Sequence, residues 1–352
     1  MGARASTAEV WVPLISSRLV SSNLGLTALA ESIRTIDYHT AGEPFRIVLE
    51  GVTPLGGSSI LEKRRWAAEH LDHVRRLLVN EPRGHADMYG CFVTEPEDGG
   101  ADLGVVFFHN EGYSTACGHG TIALVTWALE YRHAGLGGRV ATASGEVEVV
   151  VDAPSGRLRT WARVKGADVT GVRFRNVPSF VLERDVAVDG VVVDIAFGGA
   201  FYAVAPAHIP IDREHLPELI EQGRQIKDTL NRTGRVVHPL EPELSGVYGV
   251  IWTDGDRNVT VFAGGQVDRS PCGSGTSARL ALLDAGGELA RGETLHHCSI
   301  VGTEFTGRVV GDAVVAGIPA VLTEIAGSAH LTGRHEFVLE PGDPLGTGFL
   351  LR

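Results

Sequence analysis

The residues most able to do chemistry in this sequence are two cysteines. Cys117 opens Cys-Gly-His-Gly-Thr-Ile-Ala and Cys272 opens Cys-Gly-Ser-Gly-Thr-Ser-Ala, so the pattern C-G-x-G-T-x-A occurs twice, 155 positions apart. Each copy runs on into an apolar stretch of helical character. A cysteine at a helix entrance lies among backbone N–H groups that lack helical partners, at the positive end of the helix dipole. Both effects favour the thiolate, and such cysteines titrate at about 3.5–7.5 instead of near 8.5. The glycines let a ligand approach the main chain, and the free amides suit a carboxylate. Two such units facing each other would bracket one carbon atom. One thiolate takes the proton α to a carboxylate, the opposite thiol supplies a proton to the other face, and the amides stabilise the enolate-like charge. Acid–base assistance of this kind supplies typically about 10²–10⁴-fold, leaving the rest to desolvation and the amide cradle.

The bland reading of a lone cysteine is a small buried hydrophobe, and Cys91 and Cys298 keep it. A buried filler needs no glycine on both sides, which sets Cys117 and Cys272 apart. His119 either orients a carboxylate or caps its helix. Asp268, four residues before Cys272, either holds a secondary ammonium or pairs with Arg269 or caps a turn. Both motifs also fit the relaxed dinucleotide pattern G-x-G-x-x-A. However, Tyr113-Ser-Thr-Ala and Asp268-Arg-Ser-Pro precede them where a strand should run. His70 with His73, and His296-His297-Cys298, raise a metal site without an evident third ligand. A binding module without catalysis would explain the cradles and leave two placed thiols without a task.

The elements that must position these groups are mostly strands. Apolar or alternating runs at 45–52, 102–109, 146–153, 191–198 and 258–264 read as strands. Leu61 to Val79 and Leu216 to Thr229 read as amphipathic helices. The class is therefore mixed α/β with much strand. The repeated motif implies two related halves, with a boundary between Asp152 and Gly171. The chain has 352 residues and a formal net charge of −12 without a basic run, which argues against nucleic acid as the main partner. Four widely spaced cysteines suit free thiols in a reducing, cytoplasmic setting better than a disulfide framework. No stretch is long and apolar enough to span a membrane. The first thirty residues match neither a secretory signal nor a good transit peptide, and read as a tail.

MYGCFV (88–93), HNEGYSTACGHGTIAL (109–124), DIAFGGAFYAV (194–204) and DRSPCGSGTSAR (268–279) resemble the proline racemase family. That family includes proline racemase, 4-hydroxyproline 2-epimerase and trans-3-hydroxy-L-proline dehydratase. The resemblance extends over nearly all of Ile36 to Arg352. It implies a diaminopimelate-epimerase-like fold, in which two pseudo-symmetric domains each wrap strands around a central helix and the site lies in the cleft between them. The implied division is an N-terminal extension (1–33), a first domain (34–160, with a C-terminal strand from 331–352 returning to it) and a second domain (161–330). It implies Cys117 and Cys272 as acid and base, Gly118, His119, Gly273 and Ser274 at the carboxylate, and Asp268 at the imino nitrogen. It also implies a small imino acid substrate and no cofactor, and a homodimer is a common enough assembly to expect. HTAGEPFRIV (39–48), the 63–90 stretch and the tail from 327 look most like the dehydratases. Those enzymes usually carry Thr at the second catalytic position, whereas this chain carries Cys272, as racemases and epimerases do.

Overall fold

The strand-forming runs pair with one another, and many of them give one face to a helix. The computed structural model describes residues 32–133, 136, 145–166 and 168–351; the N-terminal tail read from the sequence lies outside them, apart from its last residues. Strand Ile33–Thr40 pairs antiparallel with Glu43–Glu50 on one side and with Ala329–Phe337 on the other. Glu43–Glu50 then runs parallel to Tyr89–Thr94, which forms a hairpin with Leu103–His109. Leu103–His109 is parallel to Gly145–Ala153, and the chain meanders on through Gly156–Lys165 and Asp168–Arg175. Position 160 therefore falls inside a continuous strand.

The same connection pattern occurs a second time. Val191–Phe197 pairs antiparallel with Phe201–Pro206, which runs parallel to Val247–Asp254. A hairpin follows with Arg257–Phe262, which meets Leu295–Cys298 in parallel. The chain continues through Glu304–Val315 and Ile318–Gly327. The two series are joined where Ile318–Gly327 pairs antiparallel with Asp168–Arg175.

Each parallel connection crosses over through helix. The sequence suggests one helix from 61 to 79, but two form, Ile60–His70 and Asp72–Val79, broken at Leu71. The first begins at a capping box in which Ser59 and Glu62 satisfy each other's free amides. Leu216–Thr233 runs four residues beyond its expected end and stops at Gly234 in the left-handed conformation. The remaining crossovers are Gly118–Glu130 and Gly273–Gly286, the helices behind the two cysteines. In Gly118–Glu130 every residue but the last is buried, as befits a helix that is apolar all round. It is packed by strands of the first series, while Gly273–Gly286 is packed by Ser179–Val188, Val191–Phe197 and the Glu304–Gly327 hairpin. Among the described residues no helix is long and apolar enough to cross a membrane.

Candidate active site

The two central helices meet end to end. A β-carbon placed on Gly118 would lie 2.6 Å from Gly273 Cα, and one on Gly273 would lie 2.8 Å from Gly118 Cα. Only glycine at both positions permits this approach. The contact brings the two helix entrances, and the cysteine that caps each, to one place. Cys117, Gly118, His119, Asp268, Cys272, Gly273 and Ser274 all line one small chamber. The free space inside is about 10 Å³, roughly one water's worth.

The two thiols are held differently. Cys117 Sγ accepts the Gly120 N–H at 3.3 Å and lies 3.4 Å from His119 Nε2. Cys272 donates its thiol proton to the Tyr202 hydroxyl at 3.6 Å. Its backbone N–H donates to Ser270 Oγ at 3.1 Å. Ser270 in turn donates both its N–H and its O–H to Asp268 Oδ1. The other carboxylate oxygen of Asp268 lies 4.0 Å from His119 Nδ1.

Electrostatics departs from the sequence expectation. Burial pushes the Cys117 thiol well above its ordinary range, only partly opposed by the Gly120 amide. Burial and then the Asp268 carboxylate push Cys272 up to about 12. Loss of hydration at this buried site outweighs the helix-entrance effect and favours the thiol at both cysteines. Burial also lowers His119 to about 3, leaving a neutral imidazole. It raises Asp268 to about 6, against the hydrogen bonds from Ser270.

Several participants escape a sequence reading. Tyr89, Tyr202, Tyr248 and Phe262 complete the chamber wall. The Tyr202 hydroxyl lies 2.6 Å from Ser274 Oγ. Glu43, fully buried, accepts the Arg269 N–H at 2.7 Å and so anchors the loop carrying Asp268. Single aromatics inside strands carry no local signal of a site; Glu43 stands in the quoted HTAGEP stretch but looks like an ordinary turn residue. The other candidates lie elsewhere. His70 stacks on Trp66, while His296 pairs with Glu304. His297 is buried between Thr276 and Asn258. Among the described residues no group of three His, Cys, Asp or Glu side chains is arranged to hold a metal ion.

A family model described as proline racemase matches residues 35–350. A 3-hydroxyproline 2-epimerase of Burkholderia multivorans is 46% identical over 339 residues, covering 92% of this chain and 99% of that protein. A trans-3-hydroxy-L-proline dehydratase of Burkholderia cenocepacia is 45% identical over 339 residues, with the same coverage of 92% and 99%. The crystal structure of a hydroxyproline epimerase from Agrobacterium vitis, with bound trans-4-hydroxy-L-proline, matches with a TM-score of 0.83 at 31% identity. That match covers 91% of this chain and 96% of that one. The fold is the mixed α/β, diaminopimelate-epimerase-like fold expected from the sequence.

Proposed function

We propose, from the premise that the chain belongs to the proline racemase family, that it abstracts the α-proton of a proline-type imino acid with Cys117 and Cys272 and dehydrates trans-3-hydroxy-L-proline to Δ1-pyrroline-2-carboxylate. The observation that carries this reading is the glycine-to-glycine contact, which sets both thiols, Asp268 and His119 around one chamber. The chain-long likeness to dehydratases supports the branch.

The substrate carboxylate rests on the free amides of Gly118, His119, Gly273 and Ser274, at the positive ends of two helices. Asp268 faces the ring nitrogen. Neither thiol ionises alone in this chamber, but a cationic nitrogen between them lowers the cost of a thiolate. That thiolate takes the α-proton, and the C–H electron pair moves into the carboxylate, where the amides stabilise it. In trans-3-hydroxy-L-proline the α-hydrogen and the 3-hydroxyl lie on the same ring face, both opposite the carboxylate. The thiol that has just gained the proton therefore faces the hydroxyl and returns the proton to it as the C3–O bond breaks. Water leaves, the C2–C3 enamine forms, and it tautomerises to the cyclic imine. The free space of about 10 Å³ is narrow for a five-membered ring, so the chamber widens to admit the substrate.

A second reading rests on one observation: the group on the far wall is a thiol. If it protonates Cα from the opposite face, the product is the epimer, as in a proline racemase or a 4-hydroxyproline 2-epimerase. A two-domain division, with the boundary moved from the expected 160 to beyond Asp168–Arg175 because Gly156–Lys165 is one continuous strand, a cytoplasmic setting and a homodimer belong to the same proposal. They are supported by the twice-used connection pattern, the four free cysteines and the frequency of two-fold assemblies. The deciding experiment offers proline, cis- and trans-4-hydroxyproline and trans-3-hydroxyproline in heavy water, read by NMR, with o-aminobenzaldehyde to trap the imine. Imine from the 3-hydroxy substrate supports the dehydratase. Inversion of proline or 4-hydroxyproline without imine reverses the order. Absence of Cα exchange in every substrate leaves only a binding module.

A further inference from the structure

The chamber wall opposite the helix entrances carries hydroxyl groups that the proton-transfer scheme does not use. Tyr89 donates its hydroxyl proton to Ser114 Oγ. The Tyr89 and Tyr248 hydroxyl oxygens lie 3.0 Å apart. Because the Tyr89 proton is spent on Ser114, Tyr248 must be the donor in this pair. The chain therefore runs Tyr248 to Tyr89 to Ser114, and the Tyr248 oxygen is left as its open, accepting end. The Tyr248 ring is held in place on two sides. It stacks on Phe262 at 5.5 Å between centroids and meets Tyr202 edge-on at 5.8 Å. Tyr202 is spoken for, since its hydroxyl lies against Ser274 Oγ, and Phe262 has none. Tyr248 also lines a neighbouring open cavity of about 450 Å³, so it stands between the chamber and that vestibule.

We infer that Tyr248 is the specificity residue of this site: its phenolic oxygen accepts a hydrogen bond from the ring hydroxyl of the imino acid, with Tyr89 and Ser114 fixing the direction of that bond. The inference rests on the proposed reading of the substrate as a hydroxylated proline and adds which atom reads the hydroxyl. A site that hydrogen-bonds a substrate hydroxyl favours that substrate over the analogue lacking one. Proline is thereby a poorer ligand than hydroxyproline, because it brings no donor to the Tyr248 oxygen, whose own proton stays on Tyr89.

The test separates binding from turnover. In the Cys117→Ala protein, where proton abstraction is blocked, dissociation constants are measured by calorimetry for trans-3-hydroxy-L-proline, L-proline and trans-3-fluoro-L-proline. The fluoro compound can accept a hydrogen bond but cannot donate one, so it should bind like proline and about tenfold more weakly than the hydroxy compound. Adding Tyr248→Phe should shrink the hydroxyproline-to-proline preference about tenfold. The fluoro comparison needs no wall variant and stands even if Tyr248→Phe does not fold. Equal affinity of the fluoro and hydroxy compounds, a preference that survives Tyr248→Phe, or no binding of any of the three overturns the inference. Wild-type protein that binds with this preference yet exchanges no Cα proton would sink the catalytic reading and leave the hydroxyl subsite standing.

Discussion

Gly118→Ala should leave the protein folded and cripple it. The new β-carbon would lie 2.6 Å from Gly273 Cα, 3.0 Å from the Gly273 carbonyl carbon and 3.0 Å from Phe174 Cζ. Non-bonded carbons rest at about 3.5–4.0 Å, so the two helix entrances must part by about 1 Å. Overpacking of this size costs about 1–3 kcal/mol. Alanine inside a helix recovers up to about 1 kcal/mol over glycine. The net change in Tm is then only a few degrees. The chemistry is less tolerant, because a reacting geometry displaced by about 1 Å loses about 10²-fold. The assay pairs thermal melting by circular dichroism with the rate of deuterium entry at Cα. A folded variant whose kcat/KM stays within about threefold of the parent would refute the idea that this contact sets the spacing of the thiols.

Three further outcomes are expected. Cys272→Ser should lower any inversion at Cα by at least about 10²-fold while imine formation from trans-3-hydroxy-L-proline persists, followed by polarimetry and imine trapping; equal loss of both would place Cys272 in the dehydration step itself. Iodoacetamide should react slowly at neutral pH and faster as pH rises, since burial holds both thiols up and Cys272 at about 12, and pyrrole-2-carboxylate should protect; labelling confined to Cys91 or Cys298 in peptide mass spectra counts against the assignment. Asp268, raised in the fold to about 6 from an ordinary value of about 3.9, binds its proton more tightly when folded. Its contribution to stability is full below pH of about 4 and is lost as pH rises through about 6, so Asp268→Asn should flatten the Tm profile across that window; superimposable profiles would show that Asp268 does not titrate as argued.

Much of this was legible because the relevant signals are local. Period-2 runs marked the strands at 43–50, 103–109, 145–153, 191–197 and 257–262 to within two residues at each end. The repeated cysteine motif located both central helices, since glycine and apolar spacing declare a helix entrance without tertiary information. What stayed hidden depends on distant pairing. Leu71 breaks one expected helix into two although the 61–79 stretch reads as continuous, and nothing in the residue type marks the break. Tyr89 and Tyr248 are 159 positions apart, and only the fold puts their hydroxyls together. The thiol energetics stay hidden for a related reason. The dipole and amide terms are readable at the motif, but burial is set by Tyr202, Phe262 and other residues that arrive from elsewhere in the chain.

Two copies of one motif do not make two equal halves of a site. Cys117 has extended backbone, with φ −152°, and its sulfur caps its own helix. Cys272 sits at φ +64°, in the left-handed region that a residue with a β-carbon enters at a cost of about 1–3 kcal/mol. Such strain persists only where neighbouring contacts enforce it, and here those contacts can be named. Ser270 takes the Cys272 N–H on its hydroxyl oxygen while giving its own two protons to Asp268. One serine thus holds the strained cysteine and aims the carboxylate together. The partners differ as well: a neutral imidazole stands beside Cys117, and a phenol beside Cys272. This asymmetry does not bar inversion at Cα, because the equilibrium between two stereoisomers belongs to the molecules and not to the site; what it does is make the two thiols unequal as bases, since each meets a different neighbour in the same buried space.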